Sequence, residues 1–243
     1  MGQVRFSPVR PKSASSNPFR VFIVGALSCV LAVAGSRDGV ASEEQEVIDL
    51  ARITMQALLP RPDFQPFRAV LPHAKGVIIV PEMPKIGFIV GTGGATGVFL
   101  GQYPEKGQWS QPSFYHFALG NVSIQFVPEI WDVVLIVTTD RGLDALVGGK
   151  VTLGRDLRFS TDPGKFGAAI DPADGEFPDV FVFAAARDAG DFLPLEGANL
   201  WSVENWNEAY YGAPVSLTEI LFGNEVDRGG SRPLRDVLSE AVE

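Results

Sequence analysis

Cysteine and histidine are scarce in this chain, which has one cysteine, Cys29, and two histidines, His73 and His116, among 243 residues. Transition-metal sites are usually built from several Cys and His ligands at short spacing, and these two histidines lie far apart in the sequence. We therefore expect no metal centre and no bound cofactor. A single cysteine also excludes a disulfide within the chain.

Positive charge is also in short supply. The chain has 20 Lys and Arg residues against 29 Asp and Glu, a formal net charge of −9. Residues 1–41 hold five basic residues and one acid, so removing them takes the net charge from −9 to −13. Nucleic-acid binding depends on clustered positive charge that neutralises phosphates. We therefore expect no nucleic-acid partner.

The first 41 residues have the pattern of a secretory signal peptide. Residues 1–20 contain four basic residues and no acid, and Val21 to Ala34 is almost continuously apolar. This run is shorter than the about 20 residues that a membrane-spanning helix needs, and small residues offer cleavage after Ala34 or Ala41. The sequence predicts an exported protein that is periplasmic or associated with a membrane.

Cys29 offers a second interpretation of the leader, because the sequence before it is a weak match to the box at which bacterial lipoproteins are lipidated. Apolar and small residues continue after Cys29, as they do inside a hydrophobic region and not beyond its end. Lipidation at Cys29 is therefore less favoured than cleavage after Ala34 or Ala41. Either of those cleavages leaves a mature chain without cysteine.

Apolar spacing predicts a helix at the start of the mature chain. From Ser42, a capping residue, apolar residues recur at three- and four-residue intervals as far as Leu59, and Pro60 ends the pattern. This helix is expected to pack on the core. The alternative is a helix on a membrane surface, which would favour Lys where this polar face has acids.

Further short helices are predicted toward the end of the chain, at 141–146 and at 215–221 with Ser216 as the cap. After residue 223 the composition becomes charged. Residues 224–243 are therefore expected to form a tail, in which 231–242 makes a helix of low importance to the core.

Short β-rich runs separated by glycine and proline occupy the middle of the chain, at intervals of about ten residues that are typical of an antiparallel sandwich or barrel. The predicted strands are 76–80, 86–90, 96–100, 113–119, 122–126, 132–138, 151–153 and 180–184, with a weaker one near 191–195. Residues 161–179 are rich in Asp, Gly and Pro and predict a loop. The expected fold class is α+β: a mainly antiparallel β-sandwich or barrel-like sheet with an N-terminal helix and short C-terminal helices.

A glycine-rich run from Gly91 to Gly97 follows a predicted strand, as in the dinucleotide-binding motif. That motif requires a helix directly after its glycines, whereas Val98 to Leu100 reads as a strand. We therefore expect no nucleotide partner and interpret the glycines as a tight strand connection.

Catalytic motifs are equally sparse. The chain has no Gly-x-Ser-x-Gly sequence. A hydrolase would have to use a carboxylate pair such as Glu129 and Asp132 in a closed pocket. The sequence therefore favours a protein that is not an enzyme.

Aromatic residues gather near the C-terminus, at Trp201, Trp206, Tyr210 and Tyr211. Such a group is expected to pack in or around the core. The alternative is that these side chains line an apolar groove with polar edges, as a lipid ligand requires.

A fixed order of short phrases in this chain resembles the SYLF domain over about residues 45–223, which gives a domain at 42–223. The phrases are Ala74–Val77, Lys85–Phe88, Gly93 with Gly94 and Gly97, Trp109–Ser110 with Pro112 and Phe114, Ser123–Gln125, Asp132–Val137, Gly142–Leu146, Leu195–Gly197, Asn207 with Tyr210–Gly212, and Ile220–Gly223.

The SYLF domain is a lipid-binding module of endocytic proteins and, as an exported stand-alone domain, of many bacteria. The resemblance implies a non-enzymatic envelope protein that binds lipid or a membrane surface. Lys75 and Lys85 are the candidates to meet a lipid headgroup, with Phe88 and Tyr211 as apolar neighbours. The alternative is a structural or interaction protein that recognises another envelope protein without lipid, which the acidity favours.

Overall fold

A curled, mixed sheet of eight strands, shaped like half of a barrel, forms the centre of the computed structural model. The model describes residues 42–85, 94–103, 108–120, 129–162, 178–187, 193–223 and 229–242. The strands are β1 (Gly76–Lys85), β2 (Gly94–Gly101), β3 (Ser113–Ala118), β4 (Glu129–Val137), β5 (Val151–Thr152), β6 (Phe159–Ser160), β7 (Val180–Ala186) and β8 (Asn199–Ser202). Their order across the sheet is β5-β8-β3-β2-β1-β4-β7-β6. The β6–β7 pair is parallel, and the other described pairs are antiparallel.

Six α-helices accompany the sheet within the described ranges. They are α1 (Glu43–Leu58), α2 (Gln65–Val70), α3 (Asp140–Gly148), α4 (Glu204–Tyr211), α5 (Leu217–Phe222) and α6 (Arg232–Glu240). Short 3-10 turns occur at Pro62–Phe64, Leu71–His73 and Gly229–Ser231. The Ser216 hydroxyl and the Glu219 carboxylate form a reciprocal capping box at the start of α5, so this helix begins where its sequence signal lies.

Strands β1 and β4 carry apolar side chains on both faces. In β1, Val77 and Ile79 point to one face, and Ile78 and Val80 point to the other. All four are fully buried. A strand that is covered on both faces needs a continuous apolar run and not an alternating one, which explains the composition of β1 and of Val133–Val137 in β4.

Different elements cover the two faces. Helices α1, α2, α4 and α6 pack on the face to which Val77 points, through buried residues such as Met55 and Phe67. Helices α3 and α5, together with the non-strand segment 193–198, pack on the opposite face. The sheet therefore lies between two apolar layers, and the helices of both layers are anchored to the same strands.

A bulge interrupts the pairing of β1 with β4 between Val80 and Met83. Glu82 lies at this bulge with a φ of 52°, a left-handed conformation that costs a residue with a β-carbon about 1 kcal/mol or more. The backbone N–H of Glu82 donates to the Asp132 carboxylate at 3.0 Å. This bond to a buried acceptor helps to hold Glu82 in its strained conformation.

The α+β fold class, the N-terminal helix and the short C-terminal helices are confirmed. The described strands extend several predicted ones, and β1 continues through Pro81 to Lys85. Predicted strands 86–90 and 122–126, and most of the predicted loop 161–179, lie outside the described residues. The weaker strand is wrong for Leu193–Leu195, which pack on the sheet as irregular backbone.

The last helix contributes more than its charged sequence indicates. Leu234 and Leu238 of α6 are fully buried in the cluster that contains α1. The expectation that a helix in this region has low importance to the core is therefore wrong. Four of the nine residues of α6 are charged, but two leucines spaced by one turn are enough to dock it.

Candidate functional site

The two lysines chosen from the sequence lie at opposite ends of β1. Lys75 directly precedes the strand and Lys85 is its last residue. Ten residues of extended chain span roughly 30 Å, so the backbone positions of Lys75 and Lys85 are far apart. The half-exposed Lys75 pairs through its Nζ with an Asp140 carboxylate oxygen at 2.9 Å.

Of the two apolar candidates, Tyr211 lies within the described residues. Phe88 lies outside the described residues. Tyr211 ends α4, where its hydroxyl donates to the Pro112 carbonyl at 2.7 Å and its ring makes an edge contact with Tyr210. Tyr211 contacts both apolar layers, so its described role is packing.

The C-terminal aromatic group divides into two. Trp206 and Tyr210 pack against Phe114 with ring centroids 5.7 and 5.5 Å apart. Trp201 lies on β8 against His116, and the Lys150 ammonium sits 4.7 Å from the Trp201 ring centre. The first group packs in the core as expected. The second is a cation–π arrangement that lies partly exposed at the sheet surface.

Asp132, one of the two carboxylates considered for hydrolysis, is held in an ion-pair network. Its carboxylate accepts two bonds from Arg187 at 2.9 Å, one from the Thr54 hydroxyl at 3.2 Å and one from the Glu82 N–H. Glu129 lies three residues away on the same strand and therefore points to the opposite face. The structure does not bring the two carboxylates together, and Asp132 ties α1 to the sheet.

Asp179 forms a comparable network next to β7. Its fully buried carboxylate accepts from the Thr139 hydroxyl at 2.7 Å, from the Arg158 backbone N–H at 2.9 Å and from the Arg141 guanidinium. Every strong donor around it belongs to a connecting segment or a helix start. This arrangement is suited to fixing the loops at one end of the sheet.

An open groove lies where the end of α1, the α2 region and the end of α6 meet. Its volume is about 900 Å³. The apolar lining residues are Leu59, Pro60, Pro72, Val237, Ala241 and Val242, and the polar ones are Gln56, Arg68 and Glu240. A mostly apolar cleft of this size with a few polar groups is the usual form of a small-molecule site.

Proline and helix termini create this groove. Pro60 follows the end of α1 and Pro72 lies in the 3-10 turn after α2, so the chain turns away instead of filling the space with a longer helix. The buried Leu234 and Leu238 hold α6 across the opening. The groove is formed by segments that are far apart in the sequence, residues 56–72 and 237–242, so no local pattern predicted it.

Arg68 is the cation of the groove. It is exposed, and within the part of the chain that the structure describes it has no hydrogen-bond or ion-pair partner. Glu240 lines the same groove but makes no described ion pair with it. An unpaired guanidinium beside apolar walls can bind a carboxylate or phosphate whose apolar tail lies along those walls.

Within the described ranges, no three His, Cys, Asp or Glu side chains are grouped to hold a metal ion. No helix in those ranges has the length and apolar character to cross a membrane.

Comparison with known proteins supports the resemblance seen in the sequence. Residues 119–241 match the family model described as Ysc84: Las17-binding protein actin regulator. This match extends through α6. The chain is 29% identical over 177 residues to the Bos taurus SH3 domain-containing YSC84-like protein 1 and 28% identical over 175 residues to the Homo sapiens protein of that name. Each alignment covers 72% of this chain and 51% of the relative, so the chain spans about half the length of these relatives.

Proposed function

Because the chain belongs to the Ysc84 family, whose domain is the SYLF domain, we propose that it is a non-enzymatic, exported lipid-binding protein that holds one amphipathic lipid in the groove at Arg68. The acyl chain lies along the apolar walls, and the anionic headgroup pairs with the guanidinium. The groove itself is the observation that carries this proposal.

The leader supports export. Its basic start, its apolar run and the small residues at Ala34 and Ala41 match a secretory signal. The net charge of −13 after its removal repels an anionic bilayer as a whole. A groove for single lipid molecules is compatible with this charge, because only the local surroundings of Arg68 meet the headgroup.

The test uses cis-parinaric acid, whose carboxylate and fluorescent acyl chain probe the two parts of the groove. Val237→Asp places a charge on an apolar wall and is expected to weaken binding by about tenfold or more, since burying an unpaired carboxylate is unfavourable. Arg68→Gln is expected to weaken it about threefold. Ile53→Asp is the matched control, because Ile53 is 48% exposed on α1 and does not line the groove.

Equal affinities for Val237→Asp and Ile53→Asp would remove the groove as the lipid site. The charge reversals Lys75→Glu and Lys85→Glu then decide whether the lysines chosen from the sequence bind the headgroup instead. Native mass spectrometry of protein purified from envelopes is expected to show one co-purifying lipid per chain. An empty protein would count against lipid binding as a whole.

A second candidate function is recognition of an envelope protein without lipid. The family description names a protein partner, and Phe222 is 45% exposed at the end of α5. A partner cross-linked in envelopes, lost in Phe222→Asp and retained in Val237→Asp, would support this function. The absence of any lipid in the same preparation would favour it over the first.

A further inference from the structure

A second cavity, of about 290 Å³, lies beside the first turns of α6 and is separate from the groove at Arg68. Its lining residues are Tyr103, Gln108, Trp109, Arg232, Arg235, Asp236 and Ser239. Two arginines and one aspartate give it a net positive charge. Its volume is at the small end of ligand sites, which suits a compact polar group.

Trp109 is the unusual member of this cavity. Only 3% of the residue is exposed, and its indole N–H has no hydrogen-bond acceptor within the described ranges. A buried donor without an acceptor costs about 1–3 kcal/mol. Natural proteins rarely leave such a donor unpaired, so we expect a bound group to accept its hydrogen bond.

A second unpaired donor lies next to the first. Gln102 and Trp109 are directly paired in an isolated antiparallel bridge, which puts their side chains on the same face. The side-chain amide nitrogen of Gln102 is also buried without an acceptor among the described residues. Gln102 does not line the cavity, so Trp109 is the buried donor that the cavity offers to a ligand.

The α6 helix adds positive charge from the other side. Arg232 and Arg235 are three residues apart and therefore project from the same side of the helix. Ser231 provides no side-chain cap for the helix N-terminus, and Pro233 occupies its first turn. The positive end of the helix dipole thus adds to the two guanidinium groups.

Buried hydrogen bonds fix these two walls relative to each other. The Ser231 hydroxyl donates to the Gln111 side-chain oxygen at 2.7 Å, and both residues are buried. The Ser110 hydroxyl accepts from the Gly101 N–H at 2.9 Å. The start of α6 and the segment that carries Trp109 are therefore held together by hydrogen bonds, which lowers the cost of organising a site.

Tyr103 contributes a neutral hydroxyl at neutral pH. Burial raises the pKa of its phenol above the usual 10, and the charge of Arg235 acts in the opposite direction. The hydroxyl remains protonated and can donate to an oxygen ligand. Asp236 is the one acid in the lining, and it limits the charge of the ligand that the cavity accepts.

We propose that this cavity binds a tetrahedral oxyanion, a phosphate or sulfate group, with Arg232 and Arg235 as its charged donors and the Trp109 indole N–H as a buried donor. Neighbouring atoms cover the indole nitrogen, so its bond to the oxyanion requires a local rearrangement. The assignment is independent of lipid binding in the groove.

The first experiment follows the indole N–H resonances of the full chain in ¹⁵N–¹H spectra during titration with sodium phosphate, at an ionic strength held constant with sodium chloride. The chain has four tryptophans, so Trp109→Phe identifies the resonance of interest. A saturable shift of that resonance toward lower field is expected. A Trp109 resonance that does not move would overturn the proposal.

Variants separate a site from general charge attraction. Arg232→Gln is expected to weaken phosphate binding about tenfold. Arg232 is exposed, so the substitution removes no buried contact of the core. Arg235→Lys keeps the charge but loses the fork geometry and is expected to weaken binding less. Arg155→Gln is the matched control, because it removes one positive charge from a side chain that is 73% exposed and lines neither cavity. Equal loss in Arg155→Gln and Arg232→Gln would refute the site.

The source of the oxyanion is resolved by comparing three probes, namely inorganic phosphate, glycerol 3-phosphate and dihexanoyl phosphatidic acid. Tightest binding of inorganic phosphate identifies a free ion, and tightest binding of glycerol 3-phosphate identifies a soluble ester. Preference for the short-chain lipid, with the loss confined to Arg232→Gln, identifies a headgroup. A lipid preference abolished only by Arg68→Gln belongs to the groove and contradicts this assignment.

Discussion

Helix α6 separates two cavities of opposite character. The groove at its C-terminal end is about 900 Å³ and largely apolar, whereas the cavity at its N-terminal end is about 290 Å³ and is lined by Arg232 and Arg235. Both depend on the same buried leucines, Leu234 and Leu238. One short helix can therefore support two kinds of recognition, because its three sides meet a core, an apolar wall and a polar wall.

Neighbouring residues of α6 line different cavities. Val237 and Ala241 face the groove, while Asp236 and Ser239 face the polar cavity. These residues are neighbours in the chain but lie on different sides of the helix. Polar and apolar residues are interspersed along the sequence of α6. The helical turn places Val237 on the side of the groove and most of the polar residues on the side of the smaller cavity.

The largest effect is expected from a substitution that loosens α6, because this helix lines both cavities. Leu234→Ala removes buried apolar volume that docks α6 and is expected to lower the free energy of unfolding by about 2–5 kcal/mol. Urea unfolding followed by circular dichroism measures this loss. Asp236→Asn, on an exposed part of the same helix, is expected to change it by less than about 0.5 kcal/mol. A mild effect of Leu234→Ala would mean that α6 is not needed for the core.

A second substitution loosens α1, which lines the groove and not the polar cavity. Asp132→Asn weakens the bonds to Arg187 and to Thr54 of α1, leaving a partly buried guanidinium with a weaker partner. The expected loss of stability is about 2–3 kcal/mol. Parinaric acid affinity should fall more than phosphate affinity, since α1 lines only the groove. Equal losses at both cavities would show that the substitution acts through global unfolding.

Ionic strength should affect ligand binding at the two cavities differently, and this test needs no mutation. Raising sodium chloride from 0.05 to 0.5 M shortens the Debye length to a few ångströms and should weaken phosphate binding several-fold. Binding of parinaric acid should change less, because much of its free energy comes from burying the acyl chain. Isothermal titration calorimetry at both salt concentrations checks the difference. Parallel salt dependence at the two cavities would contradict their assignment to different chemistries.

The smallest expected effect comes from His116, which lines neither cavity. Burial lowers its pKa below the usual 6.5, so the unfolded chain takes up this proton more readily than the folded one. His116 therefore contributes stability above pH 6.5 that is lost as the pH falls through its folded pKa. Thermal unfolding at pH 7.5 and 5.5 should show a slightly smaller drop in His116→Gln than in the unmodified protein. An identical drop would exclude His116 as a source of the pH dependence.

Local signals predicted the regular elements well where one segment carried the whole signal. The capping pair Ser216 and Glu219 marked α5, and the apolar spacing after Ser42 marked α1. Strands β6 and β8 were missed because they are two and four residues long and are defined by their partners β7 and β3. Pairing with a distant strand leaves little trace in so short a segment.

The site residues were harder to predict than the fold. Lys75 and Lys85 were proposed to meet a lipid headgroup, and the structure places them at opposite ends of β1. Arg68 and Arg232 lie in segments whose composition did not draw attention. Arg68 became a candidate because apolar residues line the groove around it, and Arg232 became one because it shares a cavity with the Trp109 indole.

The sequence by itself determined which segments must be buried, because continuous apolar runs in β1 and β4 and the periodic face of α1 have no other stable placement. It also determined the charge and the pattern of the leader. Only the tertiary structure decided that residues 56–72 meet residues 237–242 around a groove, and that Trp109 meets Arg232 and Arg235. Periodicity is a local property, whereas a cavity is the space that distant elements leave unfilled when their buried faces have been packed.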